Sequence, residues 1–104
     1  MIEQTEFSIK SRKETFRVGK IDPIDLLTTC SMIDFENAKV TKNLFEFILE
    51  NVEVKQGETW LPVKTKGRSI YNPVGIEDNL MSFNEIVNYF MKQVIMPVFQ
   101  KSSE

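Results

Sequence analysis

The 104-residue chain contains no histidine and a single cysteine. The first absence removes the commonest general base and the commonest metal ligand. The second rules out an internal disulfide and a Cys-rich zinc site. Charge of one sign is also missing: 13 Lys+Arg stand against 15 Asp+Glu, a net charge of -2. That balance argues against a protein that lives on phosphate backbones. No apolar run approaches the roughly 20 residues of a membrane span. The opening MIEQTEFSIK is polar and acidic, so neither a signal peptide nor a transit peptide is expected there. What is present is ordinary for a globular protein: 41% hydrophobic and 27% charged residues. The length is that of one domain, so residues 1–104 are read as a single unit. Composition points to a soluble, cytoplasmic domain without catalysis, metal or cofactor.

Along the chain, residues 4–20 read as two extended segments. Phe7 and Ile9 alternate with polar neighbours, Ser11-Arg12-Lys13-Glu14 interrupts, and Phe16 and Val18 alternate again. Period two on both sides of a polar turn predicts a β-hairpin. Asp22-Pro23 then opens a helix, with Asp accepting from free first-turn amides and Pro tolerated at the first position. Ile24, Leu27 and Met32, with Leu26 and Cys30 beside them, give residues 23–33 an apolar side. A second helix is expected over about 35–53, capped by Asp34 or, in its second half, by Thr41. Its apolar set Leu44, Phe45, Phe47, Ile48, Leu49 and Val52 spans an arc of roughly 200°. Such a helix is buried on more than one flank or has a second partner.

Residues 54–79 read as irregular, with three of the four glycines and two of the four prolines. Within them Trp60-Leu61-Pro62-Val63 is either a short strand or an extended clip, and Pro limits it to an edge. Asn72-Pro73-Val74-Gly75 has turn chemistry. The last helix is announced by Ser82 and Glu85, a Ser-x-x-Glu capping box before an apolar-periodic run. Phe83, Ile86, Val87, Phe90 and Val94 share one face, and Pro97 should kink or end the helix.

Few constellations point to chemistry. Glu77-Asp78, the tightest carboxylate pair, reads as a solvated run ahead of a helix. Cys30 has no His to activate it and reads as a buried structural thiol. Lys64, Lys66 and Arg68, flanked by Trp60 and Tyr71, form a weak stacking-plus-charge pattern without a phosphate-loop signature. Lys10, Arg12, Lys13 and Arg17 decorate the hairpin edge. The feature that stands out is apolar excess at the C-terminus: Val94, Ile95, Met96, Val98 and Phe99 point to several sides. A helix end apolar all round is buried by its own core or covered by another protein. Five Met and eight Phe in one small chain lean toward adaptable binding.

The segment order is a β-like start, then Asp-Pro-Ile-Asp-Leu-Leu and Leu-Phe-Glu-Phe-Ile-Leu-Glu-Asn in two helices. A Gly-Glu-Thr-Trp-Leu-Pro-Val clip follows, and the chain closes on Asn-Glu-Ile-Val-Asn-Tyr-Phe-Met-Lys-Gln-Val-Ile-Met-Pro-Val-Phe. Over about residues 7–100 this order resembles the tail assembly chaperones of long-tailed bacteriophages. It is most similar to the small lactococcal siphophage protein encoded just before the tape measure protein. The resemblance implies a mostly helical, non-enzymatic protein that binds the hydrophobic tape measure protein and keeps it soluble until the tail tube forms. It further implies location in the cytoplasm of the infected bacterial host, absence from the mature virion, and self-association into an oligomer or spiral.

Together these readings predict a mainly α domain, α+β at most, with a short N-terminal β-hairpin and three or more helices. The expected partner-contact residues, drawn from the apolar-excess argument alone, are Phe45, Leu49, Phe90, Val94, Ile95, Val98 and Phe99. The expected partners are the tape measure protein and further copies of the chain, with no nucleic acid and no membrane. The alternative class is a structural head–tail connector or tail terminator of the virion. A nucleic-acid-binding regulator built on Lys64, Lys66 and Arg68 is a third.

Overall fold

Alternation builds the first two strands where it was expected. The computed structural model describes residues 6–64 and 79–102. Within it, β1 (Glu6–Ser8) pairs antiparallel with β2 (Thr15–Val18), Phe7 opposite Phe16. Residues 4 and 5 of the expected first segment lie outside the described residues. The chain then forms α1 (Pro23–Ser31) and α2 (Ala38–Glu50) before returning to the sheet. β3 (Val52–Gln56) lies against β2, and β4 (Thr59–Pro62) against β3, so the antiparallel order is β1-β2-β3-β4. The last helix runs as α3 (Leu80–Phe90), a π-helical stretch (Met91–Ile95) and α4 (Met96–Ser102).

The expectation of a mainly α, or all-α, domain is therefore overturned. Over the described residues the protein is a small α+β domain with a four-stranded antiparallel sheet and three helices, about 52% helical and 20% strand. The correction lies in residues 51–62, read as the end of a helix and an irregular loop. The helix stops at Glu50, and the Asn51 N–H closes its last turn on the Phe47 and Ile48 carbonyls. From Val52 the residues alternate, with Val52 and Val54 buried and Glu53 and Lys55 on the other face. Gly57 then takes φ 65° and no other described residue has positive φ, the signs of a type II′ hairpin turn. Val63 N–H still bonds to the Val52 carbonyl at 2.9 Å. In that register Pro62 directs its missing donor to the open side, which is why a proline sits on this edge.

The pairing gives the sheet two unlike faces. Phe7, Phe16, Val54 and Leu61 line up across all four strands on the inner face. Glu6, Arg17, Glu53 and Pro62 form the matching outer row. There Arg17 donates to Glu53 at 2.6 Å and stacks its guanidinium 4.3 Å from the Trp60 ring centroid. The inner face is roofed by α2 and the last helix. Phe16, Ile48, Val52, Val54, Ile86, Phe90 and Ile95 are wholly buried. Each side chain of this size contributes about 1.5–3 kcal/mol when removed from water. Phe7 stacks on Tyr89 at 3.8 Å, while Phe45 meets Phe83 and Phe47 meets Phe90 edge-on.

The helix starts differ from expectation in an informative way. Asp22 caps α1 as read, accepting from Ile24 N–H at 2.8 Å. α2 is capped by Asn37, one turn after Asp34, and begins at Ala38. α3 is capped by Asn79, whose Oδ1 accepts from Ser82 N–H. Ser82 is therefore inside the helix and fully buried, and the Ser82–Glu85 pair is no capping box. Both side chains reach the first hairpin instead. Ser82 Oγ lies 2.8 Å from Ser11 Oγ, and the Glu85 carboxylate accepts from Lys10 N–H at 2.7 Å and Ser11 N–H at 3.2 Å. Pro97 does not end the helix. Met96 N–H bonds five residues back, to the Met91 carbonyl, and the widened turn sits directly ahead of the proline. An α-register there would press the proline ring on the carbonyl one turn back.

Glu85 is held below the usual carboxylate range by the Ser11 hydroxyl and then by the Lys10 and Ser11 backbone donors. A carboxyl depressed in the folded state adds stability above its unfolded value and loses it as pH falls through the folded one. Glu85→Gln should thus lower the melting temperature at neutral pH, and the gap to wild type should close below about pH 4. Glu14, lowered in the same sense by Arg12, is common to both proteins and cancels. An equal gap at pH 7 and pH 3 in thermal melts would refute the charged clamp.

Candidate protein-binding surface

The seven expected contact residues divide between interior and surface. Leu49, Phe90, Val94 and Ile95 are between 0% and 3% exposed and belong to the core. The apolar excess of the last helix is thus largely used at home, because the π-helical stretch turns both Val94 and Ile95 inward. Phe45 and Val98 are half-buried and pack against that core. Phe99 alone of the seven is substantially open, at 48%. Phe45 and Leu49 are brought together as lining of a groove between α2 and the start of α3. That groove, about 510 Å³, is completed by Lys42, Glu46, Lys64, Leu80 and Phe83.

Most of the open apolar surface lies elsewhere. Ile24, Leu27, Met32 and Phe35 are 56–72% exposed, and Leu80 and Met81 are 80% and 65% exposed. Met96 joins Phe99 on α4. The cause on α1 is local. Leu26 and Cys30, one turn apart, hold the helix to the core, which leaves Ile24 and Leu27 turned to solvent. A nine-residue helix needs only one apolar stripe, and α1 carries two. That surplus was visible in Ile24, Leu27 and Met32 but reads as one broad face until the buried side is known. Met32 also borders a small apolar crease between α1 and α2 with Ile33, Val40 and Leu44. Exposed apolar groups mark binding surfaces where they form a patch, and Ile24 and Leu27, one turn apart on α1, share one side of that helix.

Polar chemistry is sparse. A cleft of about 480 Å³ between α1 and the end of α2 is lined by Asp25, Thr28, Thr29, Glu50, Asn51 and Lys64 among others. Cys30 is buried, and that burial raises its thiol, which keeps it protonated and unreactive. Among the described residues no three His, Cys, Asp or Glu side chains gather where a metal could bind. Among them, too, no helix is long and apolar enough to cross a membrane. Of the basic cluster only Lys64 lies within the described residues. Lys66, Arg68, Tyr71, Glu77, Asp78 and the Asn72–Gly75 turn lie outside them. Comparison of the chain with family models, curated proteins and solved structures finds no match in any of the three.

The division between core and surface predicts unequal costs for two residues one turn apart in the last helix. Ile95→Ser should cost about 3–5 kcal/mol by leaving a cavity and burying a hydroxyl. Phe99→Ser should cost about 1 kcal/mol. Urea unfolding of the two variants measures the difference, and equal costs would contradict this placement.

Proposed function

We propose that the domain is a non-enzymatic binding module that covers apolar segments of another protein. The observation that carries this is that, among the described residues, eight large apolar side chains are left 48–80% exposed on the helices and the α1–α2 link. A domain of this size has an adequate core without them. Within that class, the particular reading is the tail assembly chaperone of a long-tailed bacteriophage. The resemblance in segment order supports it, although the sheet makes the domain less helical than the resemblance implied. The chain would hold the tape measure protein soluble in the cytoplasm of the infected host and leave before the virion is complete. Spaced apolar anchors suit helical stripes on such a partner. Many copies on one long partner add avidity without a strong single site, and self-association would reinforce it.

Co-expression with the tape measure protein, followed by size-exclusion chromatography with light scattering, tests the proposal. A soluble complex with several copies of this chain per tape measure protein is expected. A tape measure protein that stays insoluble while the chain elutes alone as a closed ring would replace this reading with a head–tail connector or tail terminator.

A further inference from the structure

The segment that carries the open apolar side of α1, residues 21–38, holds charge of one sign only. Between Lys20 and Lys39 the chain carries no cation, and Asp22, Asp25, Asp34 and Glu36 are all exposed. Two carboxylates stand at the N-terminal end of the helix and two beyond its C-terminal end, with Ile24, Leu27 and Met32 between them and Phe35 beside the second pair. Asp22 and Asp34 are committed to helix and turn caps, accepting from Ile24 N–H and Glu36 N–H. Asp25 and Glu36 are not committed in this way, for among the described residues neither has a hydrogen bond or ion pair. The adjoining cleft adds Glu50 and Lys64, opposite in sign.

An acidic frame around apolar anchors selects its occupant. Anionic phospholipid and nucleic acid are repelled by it. A second copy docked by the same face across a two-fold axis would set the four carboxylates against their own images. The complementary ligand presents an apolar stripe with cations on its borders. Resting on the binding-module reading above, we infer that the α1 face docks an amphipathic helix whose apolar stripe is flanked by Lys or Arg. Ile24 and Leu27 anchor it, and Asp25 and Glu36 set its charge preference. The face thereby discriminates among apolar helices, which exposed hydrophobic surface alone does not do.

The test uses two labelled helical peptides of about 18 residues, roughly five turns. They share one leucine stripe, flanked by Lys in one and by Glu in the other. Fluorescence anisotropy against the whole chain should show the Lys-flanked peptide binding about tenfold or more tightly than its counterpart, with the margin shrinking as salt rises. Ile24→Ser with Leu27→Ser should weaken it by about tenfold or more. Asp25→Lys with Glu36→Lys should abolish the preference while the variant keeps the wild-type melting temperature. Equal binding of the two peptides, no binding of the Lys-flanked one, or indifference to the serine pair would each overturn the inference. So would a wild-type dimer, seen by light scattering, that the serine pair converts to monomer. None of these results bears on whether wild-type chain solubilises the tape measure protein, so the two readings fail separately.

Discussion

Phe16 sits in the middle of the sheet, in register with Phe7 on one side and Val54 on the other, and none of its surface reaches water. The sheet is apolar on that face only, so the face must be covered, and the strands alone have nothing to cover it with. Ile48 and Leu44 come from α2, and Ile86, Phe90 and Ile95 from the last helix. The positions of both helices follow from this demand. So does the consumption of most of the apolar excess near the C-terminus.

The last helix is tied at both ends of its contact with the sheet. Near its start, Ser82 and Glu85 grip the first hairpin through side-chain and backbone groups of Lys10 and Ser11. Tyr89 then stacks on Phe7 one turn later. Further on, the π-helical stretch sets Val94 and Ile95 both inward and lets Pro97 follow without ending the helix. After Leu80 and Met81, exposed in its first turn, the helix spends its apolar residues on the core until α4, where Met96 and Phe99 are released to the surface. On α1 the apolar residues divide evenly. That helix meets the core through Leu26 and Cys30 and leaves Ile24 and Leu27 exposed.

Ser-x-x-Glu shows why part of the site and fold stayed illegible. The four-residue spacing is that of a capping box, and nothing local distinguishes it from a pair three apart on one helix face. The distinction came from a hairpin more than 70 residues away in the chain. The β3–β4 hairpin was legible in principle, since Val52, Glu53, Val54 and Lys55 alternate and Gly57 follows. It was hidden because Val52 also completes the helical arc of Leu44, Ile48 and Leu49, and two periods compete over so short a run. Leu49, Phe90, Val94 and Ile95 were recognised as strongly apolar, but whether an apolar residue faces a partner or its own core is not a local property.

By itself the sequence determined the pieces whose causes are local. The first hairpin follows from alternation around a polar turn, the α1 start from Asp22-Pro23, and the edge position of Pro62 from a missing donor. It also has no His and one Cys, and so holds no Ser–His or Cys–His pair. Only the tertiary structure decided which apolar residues are spent and which are left over. A sheet face of given area takes a limited number of side chains, and packing, not hydrophobicity, selects them. Phe90 and Ile95 were taken; Ile24, Leu27, Leu80 and Phe99 were not, and they stay on the surface.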